Sequence, residues 1–125
     1  MTETIDLSQK TILVVEDDDM NFIYLNQIFR ITKGHITRAR NGEEALDLVS
    51  GNQYDIILMD IQLPDIPGTE VTRKIREFDQ KTPIIAQTAS RTPDETDDCL
   101  ESGCTDLLIK PYTLNDFSRV VGKYV

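Results

Sequence analysis

Glu16, Asp17, Asp60, Thr88 and Lys110 each stand where an apolar run of the chain breaks off. Thr11–Val15 (TILVV) runs into Glu16 and Asp17, and residues 56–59 (IILM) stop on Asp60. Residues 83–87 (PIIAQ) lead to Thr88, and Asp106–Ile109 (DLLI) to Lys110. Three carboxylates gathered in one place repel one another and raise one another's pKa values. They stay ionised only if cations share the site: Lys110 supplies one positive charge, and a divalent metal the rest. The candidate ligands are all hard oxygens, with no His or Cys among them, which favours Mg²⁺ over zinc or copper. Such an ion keeps positions open for phosphate oxygens. With Asp60 as nucleophile, the matching chemistry is phosphoryl transfer to a carboxylate, giving an aspartyl phosphate. In such a transfer the protein mainly positions groups and stabilises charge. Glu16 and Asp17 would hold the metal, Lys110 would pair with a phosphoryl oxygen, and the Thr88 hydroxyl would bind another. Singly, each residue has a plainer reading: an acidic turn, a turn-capping Asp, a strand-end Thr, a surface Lys. Their coincidence at strand ends is what makes a site.

The elements that must position these residues follow from hydrophobic patterning. Short apolar runs bounded by turn residues read as strands buried on both faces. After the first strand, Asp18 and Asp19 can cap a helix running to about Thr32, with Gly34 as its stop. Phe22, Leu25, Ile28, Phe29 and Thr32 form its core stripe, while Met20, Ile23, Gln27 and Ile31 give the opposite face an unusually apolar character. The polar segment 35–40 (HITRAR) reads as an edge strand, and Asn41 caps a short helix ended by Gly51. Val71, Ile75 and Phe78 repeat along a third helix opened by Gly68. Thr92-Pro93 starts a fourth, acidic helix with Cys99 and Leu100 as its anchors, thin enough in apolar residues to be easily displaced. Thr113 with Asp116 caps a fifth, whose stripe is Phe117, Val120, Val121 and Tyr124.

Five strand–helix units in alternation predict an α/β domain with right-handed crossovers and helices on both faces of a parallel sheet. The polar second strand belongs at an edge, which predicts the flavodoxin-like (βα)5 order 2-1-3-4-5 with a crevice between strands one and three. The 125 residues suffice for one domain, taken as residues 10–125 behind a flexible lead-in of residues 1–9. The chain closes on the fifth helix, so no output domain is expected after it.

A net charge of −9 and a pI near 4.5 argue against nucleic acid or an anionic membrane as a partner. They suit a cation site or a basic protein surface. No run reaches the length of a membrane span, and no basic-then-apolar leader opens the chain. Cys99 and Cys104 form no metal-binding pattern and read as reduced thiols of a cytoplasmic protein, and His35 as a surface residue.

Residues 12–18 (ILVVEDD), 58–60 (LMD), 87–89 (QTA) and 109–111 (IKP) together resemble, in order and spacing, the signature segments of response-regulator receiver domains from residue 10 onward. The resemblance implies that Asp60 accepts a phosphoryl group from a histidine kinase phosphohistidine or a relay phosphotransfer domain. It implies Mg²⁺ held by Asp60, Asp17, Glu16 through water, and the Gln62 backbone carbonyl, with Thr88 and Lys110 in the roles above and a cis Lys110-Pro111 bond. Such a domain is a signalling phosphoacceptor that catalyses its own phosphorylation and dephosphorylation, and is otherwise no enzyme. It stands alone as a monomer or weak dimer, or belongs to a hybrid kinase. The apolar outer face of the first helix (Met20, Ile23, Gln27, Ile31) is then the expected docking surface for the donor. Two departures stand out. Leu107 occupies the place of the usual switch aromatic, and residues 64–68 (PDIPG) replace the usual loop ending. The competing readings are a phosphorylation-independent interaction module, a flavin carrier, and a phosphatase with its nucleophile after strand one. The first is opposed by the intact acid set, the second by the four acids where a phosphate loop would need glycines, and the third by Asn21 where Thr or Val is needed.

Overall fold

The three central strands of the sheet are built almost wholly from residues that are buried on both faces. In the computed structural model, which describes residues 5–125, β1 (Thr11–Val15), β3 (Ile56–Asp60) and β4 (Ile84–Thr88) are almost wholly buried. β2 (His35–Ala39) alternates exposed and covered residues at one edge, and β5 (Asp106–Ile109) closes the other. All pairings are parallel, in the order β2-β1-β3-β4-β5, as the patterning predicts.

Side chains of a strand alternate between faces, so the sheet divides the interior into two cores. Ile12, Val14, Leu58 and Ile85 face α1 (Asp19–Thr32) and α5 (Leu114–Val121), meeting Leu25, Phe29 and Phe117. Leu13, Val15, Met59 and Ala86 face α2 (Gly42–Gly51), α3 (Gly68–Arg76) and α4 (Pro93–Ser102), meeting Ala45, Val71, Ile75 and Cys99. Cys99 and Cys104 are buried free thiols. Among the described residues, no helix is long and apolar enough to cross a membrane.

The ends of elements show where local pattern and three-dimensional packing part. Asp18 caps α1 by accepting from the Met20 N–H at 3.0 Å. At the other end Lys33, not Gly34, takes the left-handed turn, with φ 67°. Gly34 is small for a different reason: a Cβ there would lie 2.9 Å from both Ile12 and Phe29 side chains. Phe78 falls outside α3, which ends at Arg76, and is 58% exposed instead of joining the core stripe. Leu100 is likewise 48% exposed, and the inward residues of α4 are Cys99 and Ser102.

The lead-in also differs from the expectation over its second half, residues 1–4 lying outside the described residues. Leu7 is fully buried among the α1/α5 core, and its N–H donates to the Thr32 carbonyl at 2.7 Å. Covering the Ile12–Phe29 end of that core is worth more than leaving residues 5–9 in solvent. Leu7→Ala should therefore cost about 2–5 kcal/mol of unfolding free energy in urea titration, where a loose tail would give no change.

Candidate functional site

The end of β1 and the end of β3 lie side by side, because Val15 pairs with Met59. Glu16 and Asp60 follow one step later, and alternation turns both toward the α1/α5 face, like Val14 and Leu58 before them. Glu16 is fully buried, Asp60 is 6% exposed, and Asp17 turns out to solvent. One oxygen from each of the three carboxylates lies within 4.8 Å of the others. Lys110, delivered by β5 and the cis Lys110-Pro111 bond, places Nζ 3.3 Å from Glu16 Oε1 and 3.4 Å from Asp60 Oδ2. The Gln62 N–H donates to Asp60 Oδ1 at 3.0 Å, and the Asp18 N–H to Glu16 Oε2 at 3.3 Å.

Charge is badly balanced in this cluster. Burial, followed by the neighbouring Asp60 carboxylate, pushes the Glu16 carboxyl up to about 7, and Lys110 offsets only part of that. Counted as fully ionised, three acids and one lysine would leave two negative charges in excess, and the raised Glu16 carboxyl is in part the response to that excess. The donor set is oxygen only, which is what a hard divalent cation requires. Mg²⁺ fits both the charge and the ligand chemistry of these residues.

A cleft of about 240 Å³ opens above the cluster and takes in Asn21, Gln62, Gln87 and Thr88. Thr88 is 8% exposed, and its Oγ1 accepts from the Ser90 N–H at 3.1 Å. Glu16, Asp17, Asp60, Gln62, Thr88 and Lys110 are thus gathered in one place. Leu107 is half-buried against the opposite core, away from the carboxylates. Gln87 and Tyr112 also belong to this neighbourhood, and the sequence by itself assigns neither side chain a role there. Gln87 left one signal in the sequence, a lone amide in an otherwise apolar strand.

The loop after Asp60 must fold tightly back over it. A Cβ on Gly68 would come 2.1 Å from the Asp60 backbone oxygen and 2.8 Å from Ile61 Cα. Backbone atoms cannot yield as a flexible side chain would. Gly68→Ala should therefore displace the turn carrying Gln62 and cost about 1–3 kcal/mol in chemical denaturation, with slower modification of Asp60.

Comparison with known proteins bears on the same residues. A family model, the response regulator receiver domain, matches residues 12–121. The transcription factor SKN7 of Candida albicans is 36% identical over 115 residues, covering 91% of this chain, which spans only 20% of that protein. The receiver domain of the sensor histidine kinase PA1611 from Pseudomonas aeruginosa, solved with a magnesium ion coordinated in its active-site cleft, superposes with a TM-score of 0.86 at 32% identity, covering 92% of this chain and 96% of that one. The receiver domain of Ssk1 from Saccharomyces cerevisiae, crystallised with the histidine phosphotransfer protein Ypd1, gives 0.85 at 29% identity, covering 99% and 90%.

Proposed function

This chain belongs to the response regulator receiver family, and on that premise we propose that Asp60 is the residue through which it acts as a phosphoacceptor in two-component signal transduction. The observation that carries the assignment is the convergence of Glu16, Asp17, Asp60 and Lys110 at neighbouring strand ends. An Asp60 oxygen attacks the phosphorus of a phosphohistidine. The new O–P bond forms as the P–N bond breaks, and the imidazole leaves with the bonding electrons and takes up a proton. Lys110 can follow the developing charge from Asp60 to a phosphoryl oxygen, and the Thr88 hydroxyl can donate to another. Glu16, Asp17, Asp60 and the Gln62 carbonyl would hold Mg²⁺, which when bound offsets the negative charge that carboxylates and phosphoryl oxygens bring together. The same residues would let water remove the phosphoryl group later, so the domain catalyses both its own loading and its own clearing.

The donor is a histidine kinase or a histidine phosphotransfer domain, as the Ssk1 complex supports by analogy. Its docking surface is the outer face of α1, where Met20 is 73%, Ile23 52% and Ile31 54% exposed beside Gln27. Exposed apolar groups clustered this way mark interaction sites. A cytoplasmic monomer or weak dimer suits an acidic chain of this kind.

The test is intact mass after incubation with a small acyl phosphate, with and without Mg²⁺. One phosphoryl adduct that needs Mg²⁺ supports the reading. No adduct from either the small donor or a phosphorylated histidine protein would sink it in favour of a phosphorylation-independent module.

A further inference from the structure

The row of strand-end residues on the α1/α5 face does not stop at Asp60. Asp60 pairs in register with Gln87 on β4, so Gln87 stands on the same face, on the side of Asp60 away from Glu16. Its side chain is fully buried and lines the carboxylate cleft. The two ends of its amide are treated differently. Oε1 accepts the Tyr112 hydroxyl at 2.6 Å, while Nε2, equally buried, has no partner. A buried donor left unpaired is costly, so an acceptor that reaches it elsewhere in the working cycle is a physical reason for its presence.

Tyr112 is itself held firmly. It is 7% exposed, its ring packs 5.8 Å from Tyr24 and 6.5 Å from Phe117, and its carbonyl accepts the Tyr24 hydroxyl. With the Tyr112 hydroxyl donating to Oε1, Nε2 is the end of the Gln87 amide left free beside the cleft.

The geometry points to Gln87, oriented by Tyr112, as a positioning residue for phosphorylated Asp60: its Nε2 donates to the Asp60 acyl oxygen once Lys110 has turned to the phosphoryl group. This rests on Asp60 being the phosphoacceptor. In the free protein Asp60 already receives the Gln62 N–H and Lys110, and Nε2 is idle. Hydrolysis joins a water oxygen to phosphorus, breaks the Asp60 O–P bond, releases the water proton to solvent and returns Asp60 as a carboxylate. Negative charge grows on the Asp60 acyl oxygen as the O–P bond breaks, so a donor placed there binds the transition state more tightly than the aspartyl phosphate. Gln87 speeds that step.

The experiment measures loss of the phosphoryl adduct after removal of the small donor, in wild type, Gln87→Leu, Tyr112→Phe and the double variant, together with their melting midpoints. Gln87→Leu should lengthen the phosphoryl lifetime about five- to tenfold, as expected for part of one hydrogen bond. Tyr112→Phe should lengthen it by less, and should add nothing in the Gln87→Leu background, because the hydroxyl acts on lifetime only through the amide. A role confined to packing would lower the melting midpoint while leaving the lifetime unchanged. Should the leucine variant fold poorly, Tyr112→Phe keeps the question open to decision, with the ¹⁵N-labelled Gln87 side-chain amide as readout: its resonances should move on phosphorylation of wild type and lose most of that shift in Tyr112→Phe. Equal or shorter lifetimes, additive effects or an unmoved amide would overturn the inference while leaving the phosphoacceptor intact. Absence of any adduct on wild type would instead remove the premise.

Discussion

Asp60→Asn is expected to abolish the phosphoryl adduct and, in the metal-free protein, to raise the melting midpoint. The first effect follows from removing the nucleophile, and intact mass should show complete loss. The second follows from the charge imbalance. Asparagine keeps the shape and can still accept the Gln62 N–H. It removes two repulsions between groups within 4.8 Å of one another, against the loss of one attraction at 3.4 Å, and Lys110 stays paired with Glu16. The net gain is roughly one like-charge contact, on the order of 1–2 kcal/mol after screening. For a domain of this size that is about 3–8 °C in the midpoint. Calorimetry in chelator should show the rise, and Mg²⁺ should narrow the difference by stabilising wild type more. A midpoint that falls would mean that Lys110 already satisfies the cluster, and the case for a divalent ion would lose its electrostatic basis. A rise would show that function at this site is held at the expense of stability.

Ile23→Lys should separate the chemistry from recognition of the donor. Ile23 lies on α1, more than half exposed, and is in neither core. Placing a charge in the centre of an apolar contact desolvates it without a partner, and such central changes cost about 2–4 kcal/mol of binding. Transfer from a phosphorylated histidine protein should slow about thirty- to a thousandfold by that measure, while labelling by a small acyl phosphate stays at the wild-type rate. Equal slowing of both would place the residue in support of the cleft, and unchanged transfer would move docking off α1.

The strand ends were legible because burial on both faces leaves a strand no polar residue until it stops, so Glu16, Asp60, Thr88 and Lys110 announce themselves. Sheet order followed from the polarity of β2, which puts it at an edge, together with the apolar runs of β1, β3 and β4, which put them at the centre. What the sequence could not carry were contacts without a period. Leu7 is buried because residues far along the chain need a cover, and Phe78 is exposed because α3 ends two residues sooner than its spacing suggests. Glu16 and Asp17 are adjacent carboxylates, yet one is sealed and the other open, a distinction made by the facing of the strand that precedes them. The Gln87–Tyr112 bond spans 25 residues and depends on side-chain direction, so no motif or spacing rule could have drawn it.

The sheet described above also works as a partition. Glu16, Asp60 and Gln87, with the exposed face of α1, lie on one side of it, while α2, α3 and α4 clothe the other. Outward residues of those three helices can therefore change without disturbing that buried row or the face of α1 proposed for the donor. The reactive half of the domain and its reverse are in this way free to diverge independently.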